Sequence, residues 1–150
     1  MVKRTSNELQ ESRRRATKLM KRILAQFRTL MDEKLRPYAV TTAQIMLLSA
    51  IRNAPGSSGA QLARHCEVAP QSAQTLIERA EEAGWIVRGK DSVNDRIVTA
   101  SLTPAGEELL KIADRLLRSI EAKLWQEIPP PAIDGLIEML EKCLLNISGE

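Results

Sequence analysis

The sequence predicts a mostly α-helical (α+β) chain in which a small helix-and-strand module interrupts a helical framework. Hydrophobic residues make up 43% of the chain and aromatic ones only 3%, so the core is aliphatic, which suits packed helices better than stacked sheets. Apolar residues recur at spacings of three and four through most of the length. Only residues 85–88 and 97–102 read as strands, separated by a polar loop. At 150 residues the chain is one domain or two small intertwined ones.

Charge is unevenly placed. Residues 1–36 carry eleven Lys and Arg against four Asp and Glu, whereas residues 37–150 carry eleven against fifteen. That asymmetry points to a basic patch for a polyanion. No run of 18 apolar residues is present, so no membrane partner is expected, and the start MVKRTSNELQ lacks the apolar stretch of a signal peptide. Cys66 and Cys143 stand far apart without a CxxC pair, which fits reduced, buried structural thiols in a cytoplasmic protein.

The first helical pattern spans residues 6–35, where Leu19, Ile23, Leu24, Phe27, Met31 and Leu35 mark one apolar stripe. Ser6 or Asn7 is the candidate N-cap, and Pro37 closes the helix. Arg13, Arg14, Arg15, Lys18, Lys21 and Arg22 flank the first half of the stripe. A stripe this long requires a partner surface from the far end of the chain or from a second copy. The next helix, Thr41 to Asn53, opens with the capping box Thr41-x-x-Gln44 and is apolar nearly all round, which places it centrally.

A second capping box, Ser58 to Gln61, starts a short helix through Cys66, and Glu67-Val68-Ala69 leaves room only for a turn. Pro70 then sits well as a first helical residue, although Ala69 is a poor cap. Over residues 70–83, Ala73, Leu76, Ile77 and Ala80 share one face, and Gln71, Ser72, Gln74, Thr75 and Arg79 share the opposite one. That second set is the side-chain vocabulary of base and phosphate contact. Glu78, Glu81 and Glu82 crowd the C-terminal half, so only the N-terminal half suits a DNA groove. Gly84 ends the helix; Trp85–Arg88 and Ile97–Leu102 form a hairpin around the loop Gly89–Arg96, whose Arg suits a minor groove. Helix, turn, helix and hairpin in this order make a winged helix-turn-helix over residues 41–103. Ser58, Gln71, Ser72, Gln74, Thr75, Arg79, Lys90 and Arg96 are its candidate DNA-binding residues.

Thr103-Pro104 starts a helix running to about Glu127, which Pro129-Pro130-Pro131 interrupts completely. The last helix is too apolar to stand alone and is expected to pack on the first across a two-fold axis. Residues 1–40 and 104–150 are therefore read as a helical dimerisation region, with Leu9, Leu136, Leu140, Leu144 and Ile147 as candidate contacts.

The chain resembles the MarR family of transcription regulators. Ser58-Gly59-Ala60-Gln61-Leu62-Ala63, Leu76-Ile77-Glu78-Arg79 and Ala83-Gly84-Trp85-Ile86-Val87-Arg88 are similar to that family's helix-turn-helix and first wing strand. Asn94-Asp95-Arg96 and Leu102-Thr103-Pro104-Ala105-Gly106-Glu107 are similar to its wing and following helix. The resemblance implies a triangular homodimer with interleaved terminal helices. Each winged domain then reads half of a pseudo-palindromic operator on double-stranded DNA, usually as a repressor released by a small ligand or oxidant. It also implies a possible phenolic or aromatic effector in a cleft that Phe27, Arg36, Tyr38 and Met46 would border; the ligand itself stays unknown. The wing departs from the family pattern, with Asn94-Asp95 before Arg96, so the acid orienting Arg96 is displaced or is Asp95. Lys90 and Arg96 balance Asp91 and Asp95, which implies a shallower salt dependence than a basic wing gives. Residues 1–40 also lack the reactive Cys of the family's peroxide sensors.

An enzyme is disfavoured. His65 is the sole histidine, no nucleophile–base or nucleotide-loop motif is present, and no metal or other cofactor is expected. A winged module that binds protein after losing its operator is the alternative; a basic helix lying on a membrane is the third reading. For the dimer, Leu140→Asp or Leu144→Asp should give a monomer or an insoluble chain in sedimentation. A soluble, DNA-binding dimer from either variant contradicts the assignment.

Overall fold

The computed structural model describes residues 5–149, so Lys3 and Arg4 of the basic count, with the start of the N-terminal stretch, lie outside it. The elements follow in the order α1 (Ser6–Leu35), a short 3-10 turn (Arg36–Tyr38), α2 (Thr42–Asn53), α3 (Gly59–His65) and α4 (Pro70–Glu82). The hairpin β1 (Ile86–Lys90) and β2 (Val98–Leu102) comes next, then α5 (Pro104–Leu124) and α6 (Pro130–Ser148). The chain is mostly helical with one small sheet, as its sequence predicts. No described helix is long and apolar enough to cross a membrane.

Several boundaries differ from the sequence reading, each for a local hydrogen-bonding reason. Thr5, not Ser6 or Asn7, caps α1: its hydroxyl accepts from the Glu8 amide at 3.3 Å while the Glu8 carboxylate accepts from the Thr5 amide at 2.7 Å. Trp85 is not in β1, because its amide donates to Ala80 in the cap of α4. Pairing of Gly89 with Thr99 and Lys90 with Val98 extends β1 into the expected loop, and Ile97 falls out of β2 because its amide turns back to Asn94. Helix α5 stops at Leu124, short of Glu127, which is left-handed at φ 62°. The interruption expected at the prolines is present between Leu124 and Pro130, with Pro129 as the extended N-cap of α6, while Pro130 and Pro131 occupy its first turn, where no intrahelical donor is needed.

The chain divides into two compact units between Arg118 and Ser119. In the first, α2 is the centre and packs against α1, α3, α4 and β2. Leu47 and Leu48 are fully buried and Ile51 nearly so, as are Leu35, Leu62, Ile86 and Leu110 from the surrounding elements. Each such side chain contributes about 1.5–3 kcal/mol. The approach of α1 to α2 is fixed by Asp32. Its carboxylate accepts from both the amide and the hydroxyl of Thr42, the first residue of α2, and supplies a cap from a neighbouring helix. These bonds, the hydroxyl one foremost, together with nearby Arg28, hold the Asp32 carboxyl below its ordinary range. An Arg52–Asp114 ion pair at 3.0 Å ties α2 to α5.

The start of α5 touches the beginning of the hairpin. Thr103 caps it, accepting from the Gly106 amide at 3.1 Å and donating to the Gly84 carbonyl at 2.6 Å. A Cβ on Gly106 would stand 2.1 Å from the Trp85 carbonyl oxygen, so only glycine permits this approach.

Apolar surface is left uncovered. Every residue from 5 to 26 on and before α1 is exposed, Leu9, Leu19, Ile23 and Leu24 included. In the second unit α6 has no buried residue; Ile137, Leu140, Leu144 and Ile147 are exposed and Leu136 is half-buried.

Gly106→Ala tests the helix–hairpin approach. Helix propensity alone would add up to about 1 kcal/mol, but the clash meets backbone and should cost about 1–3 kcal/mol net, lowering the denaturation midpoint. An unchanged midpoint would contradict the contact. Asp32→Ala should lose about 1 kcal/mol near neutral pH, an exposed charge-assisted cap being worth no more. Because the folded carboxyl titrates below its unfolded value, that contribution is complete above about pH 4 and vanishes as pH falls further. Thermal melts of the two proteins should therefore converge in acid.

Candidate nucleic-acid interface

The helix-turn-helix is built from two matching helix ends. After α3 the chain passes through Glu67 at φ 53°, with the Val68 amide bonded to Ala63 and the Glu67 amide to Arg64. After α4 it passes through Gly84 at φ 75°, with Trp85 bonded to Ala80 and Gly84 to Glu81. Both are Schellman ends, and the first carries a glutamate where glycine is the usual choice. Pro70 opens α4 without a side-chain cap, as Ala69 dictates.

The two faces of α4 are those the sequence predicts. Ala73, Ile77 and Ala80 are buried and Leu76 is half-buried, while Gln71, Ser72, Gln74, Thr75 and Arg79 are exposed. Two of these polar groups are already engaged within the helix. The Thr75 hydroxyl donates to the Gln71 carbonyl at 3.1 Å, and Gln74 Nε2 donates to Glu78 Oε1 at 2.8 Å. Ser58 stands apart from this face. It is half-buried as the N-cap of α3, its Oγ accepts from the Gln61 amide at 3.3 Å, and it bridges Thr99 of β2.

The wing is organised by a residue the sequence reading treated only as charge. Asp91 Oδ1 accepts from the amides of Val93 at 2.8 Å and Asn94 at 2.9 Å, and these bonds, Val93 first, hold its carboxyl below the ordinary range. The Asn94 side chain in turn accepts from the Arg96 amide at 3.1 Å. Asp91 and Asn94 thus close the turn that carries Arg96, whereas Asp95 makes no bond to it among the described residues. An aspartate two and three residues ahead of loop amides is the signal for such a turn. Lys90 and Arg96 are both exposed.

Arg88 on β1 was also missed. Its half-buried guanidinium lies 2.7 Å from Glu81 of α4, an ion pair in which the Nε–H is not aligned on the oxygen. This contact joins wing strand to helix and offsets one of the three α4 carboxylates.

A cleft of ≈ 970 Å³ opens between α1, α2 and the end of α3, with Phe27, Arg28, Met31, Met46, His65 and Cys66 among its walls. Phe27 and Met46 border it as expected; Arg36 and Tyr38 do not. Burial pushes the Cys66 thiol up, away from the reactive thiolate. Cys143 departs from the expected burial and is exposed on α6. No group of three metal-ligating side chains occurs among the described residues.

Three comparisons agree on ancestry. The sequence profile of the MarR family matches residues 40–97, from the start of α2 into the wing. The HTH-type transcriptional repressor Rv2887 of Mycobacterium tuberculosis is 32% identical over 124 residues, 83% of this chain and 89% of its own. The solved MarR family protein Rv2887, in complex with salicylic acid, aligns at 31% identity with a TM-score of 0.66, over 83% of this chain and 93% of that one. In fold alone, a mutant E. coli MarR complexed with operator DNA matches with a TM-score of 0.76 at 22% identity, over 85% and 92% of the two chains. With that identity and coverage joined to an amphipathic α4 and an Asp91-ordered wing, this chain belongs to the MarR family of transcriptional regulators, which are not enzymes.

Proposed function

We propose that the protein is a cytoplasmic homodimer that binds a pseudo-palindromic operator sequence-specifically and acts as a ligand-responsive repressor. The observation that carries this reading is the exposed row Gln71, Ser72, Gln74, Thr75 and Arg79 on a helix seated on a buried face. The helix holds 13 residues, about 20 Å at 1.5 Å per residue, enough to lie in a major groove. Arg96 and Lys90 on the ordered wing supply contacts to the flanking backbone and minor groove, and Ser58 at the start of α3 adds a further contact. The solved relative with operator DNA and the repressor name of the 32%-identical relative support the same role.

Leu9, Leu136, Leu140, Leu144 and Ile147 form the dimer contacts in this reading. The uncovered apolar sides of α1 and α6 supply the physical need for a second copy, since exposed stripes of this length are costly in water. Residues 1–40 and 104–150 make up the dimerisation region, and residues 41–103 the reading module. The effector is a small aromatic acid or phenol held in the cleft, with Phe27 and Met46 as apolar walls and Arg28 as the cation; the salicylic acid held by the 31%-identical relative supports that class.

Gel shifts on the protein's own promoter region at low salt test the reading, and absence of binding would favour a protein-binding module. Arg96→Ala should weaken binding on nearly all sequences. Gln74→Ala should cost about 1–3 kcal/mol on the operator while sparing non-specific DNA. Equal losses on random DNA for both variants would remove base readout from α4.

A further inference from the structure

We infer that Glu78 is a positioning residue that sets the amide of Gln74 to read a base carrying an exocyclic amine in the major groove, adenine before cytosine. The inference deepens the operator-binding reading and rests on it. An ionised carboxylate only accepts hydrogen bonds, so the Gln74 group 2.8 Å from Glu78 Oε1 is the amide nitrogen. The flip of this exposed amide is thereby decided by its neighbour one helical turn on. One Nε2 hydrogen is consumed, leaving Oε1 and the second hydrogen for the groove.

Those two remaining groups match adenine, whose N6 amine donates and whose N7 accepts. Cytosine offers the N4 amine but no adjacent acceptor, so it satisfies only Oε1. Guanine and thymine can accept the second hydrogen at N7, O6 or O4, but neither offers Oε1 a donor and each sets an acceptor beside Oε1 and the Glu78 carboxylate, so each gains one bond against an acceptor–acceptor contact. An unconstrained glutamine turns its amide to suit either case; this one is held. A carboxylate on such a face repels phosphate, and its bond to Gln74 gives it an orienting use that an alanine there could not supply.

Selection of bound sequences from a random duplex library, with the full-length protein, provides the test. Wild type should enrich one column in each half-site for A, then C, on one strand. Glu78→Ala should reduce that preference at least about fivefold while binding random DNA as well as or better than wild type, because a negative charge is gone. Glu78→Gln, whose amide can donate to Gln74 as well as accept from it and so no longer fixes the flip, should also weaken the preference, although it keeps the size of the side chain. If Glu78→Ala fails to fold by circular dichroism, Gln74→Met must lose the same column. No enriched sequence with wild type would refute operator reading itself. An enriched site whose columns are all unchanged in Glu78→Ala, or a G or T at the column lost in Gln74→Met, would overturn the role of Glu78 alone.

Discussion

The fold depends on the junction at Thr103. One hydroxyl donates to the carbonyl of Gly84 and accepts from the amide of Gly106, while the Thr103 amide donates to the Trp85 carbonyl. The end of α4, the residue that leads into the hairpin and the first turn of α5 therefore share one hydrogen-bonded point. Left-handed geometry at Gly84 makes its carbonyl available there, and the absence of a Cβ at Gly106 lets the helix close on Trp85. The first turn of α5 is thus joined to the end of α4 through the Thr103 hydroxyl and the Thr103 amide, both bonded to backbone carbonyls.

Around that junction, charges work mainly as local organisers. Asp32 caps α2, Asp91 folds the wing, Glu81 meets Arg88 across helix and strand, and Glu78 holds Gln74. Three of these four act through hydrogen bonds to N–H or O–H donors, which tolerate exposure better than paired surface ions do. The acidic residues of α4 and the wing thus leave less free negative charge than a count of them implies. Two of the three carboxylates on α4 and one of the two on the wing already face partners.

The two long apolar stripes pose the remaining constraint. Helix α1 exposes its stripe over its first two-thirds, and α6 buries nothing, although Leu, Ile and Met dominate one side of each. Helices of that composition gain their stability from packing and not from propensity. Cys143 sits within the α6 stripe, which accounts for an exposed thiol among apolar neighbours.

Much of this was legible from residues in order. The spacing of Ala73, Ile77 and Ala80, the boxes Thr41–Gln44 and Ser58–Gln61, the stop at Gly84 and the start at Thr103-Pro104 are local codes, because capping and amphipathicity act within a few residues. What only the tertiary structure decided involves partners distant in sequence or rotatable within a loop. Asp32 reaching Thr42, Arg88 reaching Glu81 and Gly106 lying against Trp85 have no periodic trace, since chain folding creates each contact. The wing shows the division most clearly: the sequence by itself determined a polar hairpin ending in Arg96. The structure decided that Asp91 spends its charge on loop amides, because a carboxylate beside free N–H groups is more stable bonded to them than facing water alone.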